Sequence, residues 1–220
     1  MSTIVKFENV VAVAGSFPVL TGVDISVQEG EIVLLQGKNG AGKTSFLRAC
    51  AGLLRINDGS AQVFGFDMRV NRQAPRRYIG LLGHENNLYR DLWAIEHVEF
   101  RAVLGGGQKS DAAEALARVG LTSRLWSVPI SALSAGQRRK VAIASLIANR
   151  PRLWLLDEPH SALDALSRAD LNAILKEAAA SGATVIFASH EGVLSEELSS
   201  RVVTMRGCLL YTSPSPRDRG

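Results

Sequence analysis

Residues 34–54 read LLQGKNGAGKTSFLRACAGLL. An apolar run meets a glycine-rich turn, then Lys43-Thr44, then a stretch in which Phe46, Leu47, Cys50, Leu53 and Leu54 recur at helical spacing, predicting a helix over 43–54. Gly37, Gly40 and Gly42 accept backbone angles that other residues resist, so successive N–H groups can turn inward on one anion. The helix that follows adds the positive end of its dipole. Gly37-Lys38-Asn39-Gly40-Ala41-Gly42-Lys43-Thr44 fits the phosphate-loop pattern in full. In that pattern Lys43 reaches the β- and γ-phosphates of a nucleotide, Thr44 offers its hydroxyl to Mg²⁺ and Ser45 touches the α-phosphate.

The rest of the chain supplies a frame for such a loop. Residues 3–36 alternate apolar and polar positions in short runs, an antiparallel pattern that feeds the strand before the loop. GSAQVFGFD (59–67) reads as a further strand, and YIGLL as a short buried one. Residues 92–126 carry helical periodicity broken at Gly105-Gly106-Gly107, with Ser110 as the expected N-cap of the second piece. A helix is expected over 137–149, a continuous apolar strand in RLWLLDE (152–158), a helix over 165–180, and strands in ATVIFASH and RVVTMRG. Strands alternating with helices imply an α/β fold: a mostly parallel core sheet, an antiparallel β subdomain and a helical subdomain at about 86–132.

Asp157 should emerge at the C-terminal end of its strand, near the metal, with Glu158 next to it and placed to orient or deprotonate an attacking water. That pair suits hydrolysis better than transfer to a second substrate, as in a kinase.

Composition is that of an ordinary globular chain, 46% hydrophobic and 21% charged. The formal net charge is +4, but Lys and Arg are scattered, with only short knots at Arg76-Arg77 and Arg138-Arg139-Lys140, which argues against nucleic acid as a partner. No apolar run reaches the roughly 18–20 residues of a membrane span, and the N-terminus lacks a secretory pattern, so a place on the cytoplasmic side is expected. Cys50 and Cys208 do not form a disulfide framework; Cys50 reads as a small buried hydrophobe.

ALSAGQRRK (132–140) carries a family resemblance. It is similar to the LSGGQ signature of the ATP-binding-cassette (ABC) ATPases, with Ala135 for the first glycine, and its Ser134 lies 23 residues before Asp157, as in that family. The phosphate loop, LLDEP, SALD (161–164) and His190 after IFAS complete the resemblance, which covers residues 4–207. It implies ATP and Mg²⁺ as cofactors and a head-to-tail homodimer formed on ATP. Ser134, Gly136 and Gln137 would then complete the partner's site, and Asp164 would help join the two halves. It also implies that Phe17 stacks on adenine and that His190 is a switch residue near the γ-phosphate. His84 stands where the family has a glutamine; an imidazole there can ligate Mg²⁺ or accept a hydrogen bond from water. The segment from His84 to about residue 130 would contact integral membrane subunits, with the chain peripheral on the cytoplasmic face of the inner membrane.

GLLGH, LSAGQRRKVAIA, LWLLDEPHSALDA and SGATVIFASHE also resemble one branch, the ATPase subunits of the cytochrome c maturation (heme exporter) system. The alternatives are the ATPase of another ABC exporter, for drug or lipid, and a soluble ABC protein acting on DNA or the ribosome. The last residues, CLLYTSPSPRD from Cys208, resemble the translation of a transposase adapter used in sequencing libraries. The natural chain is therefore expected to be read to about Gly207, and residues 208–220 to be disordered.

Overall fold

A computed structural model describes residues 2–190 and 197–212. They divide into two compact units, the first built from Met1–Ile79, Arg152–Pro159 and Lys176–Gly220, the second from Gly80–Pro151 and His160–Leu175.

The first unit holds two sheets. β1 (Thr3–Ala14), β2 (Phe17–Gln28), β4 (Asp58–Val63) and β5 (Phe66–Asp67) form an antiparallel sheet in the order β2-β1-β4-β5. The register of β1 slips between Phe7 and Val10 against β2 and between Glu8 and Val11 against β4. Asn9 sits at this bulge with φ 50°, its N–H donating to Asp24 Oδ1 at 2.8 Å. Gly59 opposite has no room for a side chain, since a Cβ would lie 2.3 Å from the Asn9 carbonyl oxygen.

In the second sheet β3 (Ile32–Gln36) pairs in parallel with both β8 (Thr184–Ala188) and β9 (Arg201–Arg206), and β8 in turn with β7 (Leu153–Asp157). Every residue of β7 and β8 is buried, as is all of β3 before Gln36. These runs are apolar without alternation because both faces of a parallel sheet are covered. The first unit thus bears out the mostly parallel core and the antiparallel sheet.

The stretch 59–67, expected as one strand, turns back at Phe64 and Gly65, both at positive φ, to give the antiparallel pair β4 and β5. Three further details differ from the sequence expectations. α1 (Lys43–Cys50) stops short of residue 54. Gly52 takes φ 67°, its N–H bonds to Ala49 O at 3.0 Å and that of Leu53 to Arg48 O at 2.8 Å, a left-handed helix stop that outweighs the apolar spacing beyond it. Residues Leu209–Thr212 form β10, antiparallel to β9, where disorder was expected. Gly207 and Cys208 both take positive φ and turn the chain back, and Leu-Leu-Tyr-Thr suits a strand. Residues 213–220 lie outside the described residues. The third is in the helical unit: Ser110 precedes α3 (Asp111–Arg118), but its side chain does not cap the helix. Asp111 Oδ2 accepts the Gln108 N–H at 3.0 Å instead.

The chain passes into the second unit within β6 (Ile79–Leu82). This unit is wider than residues 86–132, because α4 (Ala135–Asn149) packs against both α2 (Ala94–Leu104) and α3. α5 (Ala165–Ala180) begins here. On α2, His97 is buried and, among the described residues, its Nδ1 has no hydrogen-bond partner. Burial, helped by the nearby Arg101 charge, lowers its pKa to about 4.

The imidazole is therefore neutral in the folded chain, while the unfolded chain takes up a proton near pH 6.5. Folding stability attributable to His97 is full above that pH and is lost as pH falls toward 4, by up to about 3 kcal/mol. Urea melts of His97→Leu should show a shallower loss than the parent chain between pH 6.5 and 4. Parallel acid profiles would show that His97 carries no such linkage.

Candidate functional site

The loop after β3 has the geometry its glycines foretell. Gly40 and Gly42 take φ 79° and 100°, and a Cβ on Gly37 would lie 2.5 Å from the Met205 carbonyl oxygen. The loop is held from below: the Cys208 N–H donates to Ala41 O at 3.2 Å, so the β9–β10 turn braces it. Lys38, Asn39 and Gly40 are exposed, Ala41 and Lys43 are buried, and Ser45 is half-buried. Lys43 Nζ donates to the carbonyls of Gly37 at 2.6 Å and Lys38 at 3.3 Å. The ammonium is thereby held on the loop itself.

β7 delivers Asp157, buried, at its end, and the Thr44 hydroxyl donates to Asp157 Oδ2 at 2.7 Å. A hydroxyl and a carboxylate together are hard oxygen donors that fit Mg²⁺, which needs few protein ligands when phosphate oxygens and water supply the rest. Among the described residues there is no cluster of three or more His, Cys, Asp or Glu that would hold a metal alone.

Glu158 takes φ 48°, rare for a side chain of its size, with its N–H on Ala188 O at 3.0 Å. The turn swings its carboxylate against His190, whose Nδ1 lies 2.9 Å from Glu158 Oε2. The imidazole is largely exposed and the carboxylate largely buried. Phe17, at the start of β2, is 76% exposed, which suits a stacking surface and does not suit a core residue.

In the second unit Ser134 caps α4: its Oγ accepts the Gln137 N–H at 3.2 Å and Gln137 Oε1 accepts the Ser134 N–H at 2.9 Å. A Cβ on Gly136 would lie 2.8 Å from the Ala162 carbonyl oxygen. Ser134, Gly136, Gln137 and Asp164 line a cavity of about 470 Å³ with Lys140. His84 is exposed, in a segment tied down by Arg139, whose guanidinium donates to Gly83 O at 3.0 Å and Asn86 Oδ1 at 2.8 Å.

Within the first unit, then, Thr44 meets Asp157 and Glu158 meets His190. Sequence reasoning named all four residues but missed the second pairing. It also missed the local work of Asp164, whose Oδ1 accepts the Ser167 N–H at 2.8 Å and caps α5; that bond holds its carboxyl below the usual carboxylate range. The signal was available, because an Asp three residues before Ser167 at a helix start is a capping pattern. The buried Arg139 tether had no such signal.

Known proteins resemble this chain along most of its length. The sequence model described as "ABC transporter" matches residues 20–161. The cytochrome c biogenesis ATP-binding export protein of Nitrobacter winogradskyi is 42% identical over 189 residues, covering 84% of this chain and 92% of that protein. Proteins of the same name from other bacteria match at 36–40%. The glutamine transport ATP-binding protein of Escherichia coli is 34% identical over 90% of this chain and 86% of its own. Among solved structures, the dimeric post-hydrolysis state of the ATP-binding cassette MJ0796 with ADP and Pi aligns at TM-score 0.87 and 25% identity, covering 95% of this chain and 98% of that one. With a family model over more than half its length and relatives aligned along most of theirs, this chain belongs to the ABC transporter family.

Proposed function

We propose that the chain is the ATP-hydrolysing subunit of a membrane complex that serves c-type cytochrome biogenesis by heme export or delivery. The observation that carries the hydrolase reading is the carboxylate of Glu158, turned by its left-handed backbone onto His190 at 2.9 Å, one residue from the Asp157 that holds Thr44. The branch rests on the resemblance to cytochrome c biogenesis export proteins at 36–42% identity.

The loop amides of residues 37–45 and the Lys43 ammonium take the phosphates of ATP, and Phe17 stacks on its base. Thr44 and Asp157 would hold Mg²⁺, which would offset charge on the β- and γ-phosphates; His84 stands in the sequence where the family has a glutamine. Glu158 orients and deprotonates water for in-line attack on the γ-phosphorus, and His190 holds the carboxylate and senses the γ-phosphate. Ser134, Gly136 and Gln137 of a second copy close over the same nucleotide, with Asp164 at the junction, so that ATP binding joins two chains and hydrolysis releases them. The helical segment from His84 to about residue 130 passes that motion to integral membrane subunits from the cytoplasmic face. No helix among the described residues is long and apolar enough to cross a membrane.

Expression in a bacterium deleted for its own cytochrome c biogenesis ATP-binding subunit tests the branch. Covalently bound c-type heme should return with the parent chain. Its absence, with the chain expressed and hydrolysing ATP, would overturn the cytochrome c reading and leave the hydrolase reading standing.

A further inference from the structure

Although Lys and Arg are scattered along the chain, one segment carries a local excess of basic over acidic residues. Between residues 48 and 77 stand Arg48, Arg55, Arg69, Arg72, Arg76 and Arg77 against only Asp58 and Asp67, an excess equal to the formal +4 of the whole chain. All six arginines are exposed, and among the described residues none pairs with a carboxylate. The two aspartates each accept a backbone N–H, Asp58 from Gly59 and Asp67 from Arg69.

The fold gathers Arg48, Arg72 and Arg76 around the turn that ends α1. Arg76 donates to Gly52 O at 2.6 Å, the Arg72 carbonyl packs where a Gly52 side chain would lie, and the Leu53 N–H returns to Arg48 O. Arg69 donates to Gly59 O at 3.3 Å. Beside them Leu53 is 50% and Val70 83% exposed, aliphatic side chains that protrude among guanidinium groups.

We infer that this face is a docking surface for anionic lipid headgroups. Arg77 also lies over the Tyr78 ring at 4.6 Å, which leaves its N–H edge open; guanidinium groups without a carboxylate partner bind phosphate through two parallel N–H bonds, and all six cations here are Arg, with no Lys. Spread over a turn and its covering segment with aliphatic residues between them, they suit a soft array of phosphates with acyl chains beneath it. An acidic peptide would need its carboxylates in register with this spacing. The inference rests on charge and exposure in the first unit and is independent of the cytochrome c reading.

Cosedimentation of the full chain with phosphatidylcholine vesicles, with and without phosphatidylglycerol, tests it. Binding should require phosphatidylglycerol and fall steeply with salt. The triple variant Arg55→Glu, Arg72→Glu, Arg77→Glu should bind at least roughly 100-fold more weakly. Lys6→Glu, Lys109→Glu, Lys176→Glu, with the same change in net charge, should bind like the parent. ATP turnover in solution reports that both variants are folded. Equal loss in both triple variants, equal binding to neutral vesicles, or no binding to protein-free vesicles would each overturn the inference. The last would point to an acidic segment of a membrane subunit. Equal affinity for a DNA duplex, lost in the same variant, would also overturn it.

Discussion

Lys43→Ala should lower ATP affinity by a factor on the order of 100 to 1,000. Lys43 is 8% exposed and its ammonium is anchored to the carbonyls of Gly37 and Lys38, so its position on the loop is set before nucleotide arrives. A charge-assisted hydrogen bond to phosphate in such a setting is worth roughly 3–4 kcal/mol, several times an exposed contact. Alanine removes the charge and leaves the glycine backbone angles and the helix dipole intact, so residual binding should persist. Isothermal titration with ATP and Mg²⁺ reads the change, and a thermal melt checks the fold. Affinity within threefold of the parent would sink the phosphate-loop assignment.

Glu158→Gln should reduce ATP turnover at least about 100-fold while leaving ATP affinity near that of the parent. Glutamine has the shape of glutamate, so the left-handed turn at φ 48° and the contact with His190 can both survive. What it cannot do is take a proton from water. Single-turnover hydrolysis with radiolabelled ATP separates the chemical step from binding. Turnover at the parent rate would remove Glu158 from the chemistry and shift attention to another base.

The phosphate loop and the acidic pair were legible because they are local. Gly37 through Ser45 lie in one turn, and Asp157-Glu158 end one strand, so spacing along the chain stands in for position in space. The parallel strands were legible for a related reason, since burial on both faces leaves runs such as IVLLQ and LWLLD without polar positions. Contacts between distant segments were not legible. Nothing in the neighbourhood of His190 announces a bond to a residue 32 positions earlier, and the Arg139 tether to Gly83 and Asn86 crosses more than 50 positions. The helix ends failed for another reason. Apolar spacing carried α1 to residue 54, but a glycine in the left-handed region is a stronger local signal than the leucines after it. The last strand was missed because a Ser/Pro-rich stretch coloured the reading of the four residues before it; Leu209–Thr212 pair with β9 through their backbone.

The central claim is that two copies of this chain share two ATP molecules and hydrolyse them to separate. Sedimentation velocity of Glu158→Gln with and without ATP and Mg²⁺ tests it most directly. The account predicts a species of twice the 23.6 kDa chain mass that appears only with ATP and carries one nucleotide per chain. Saturation with ATP while the chain stays at its monomer mass across the accessible concentration range would contradict it.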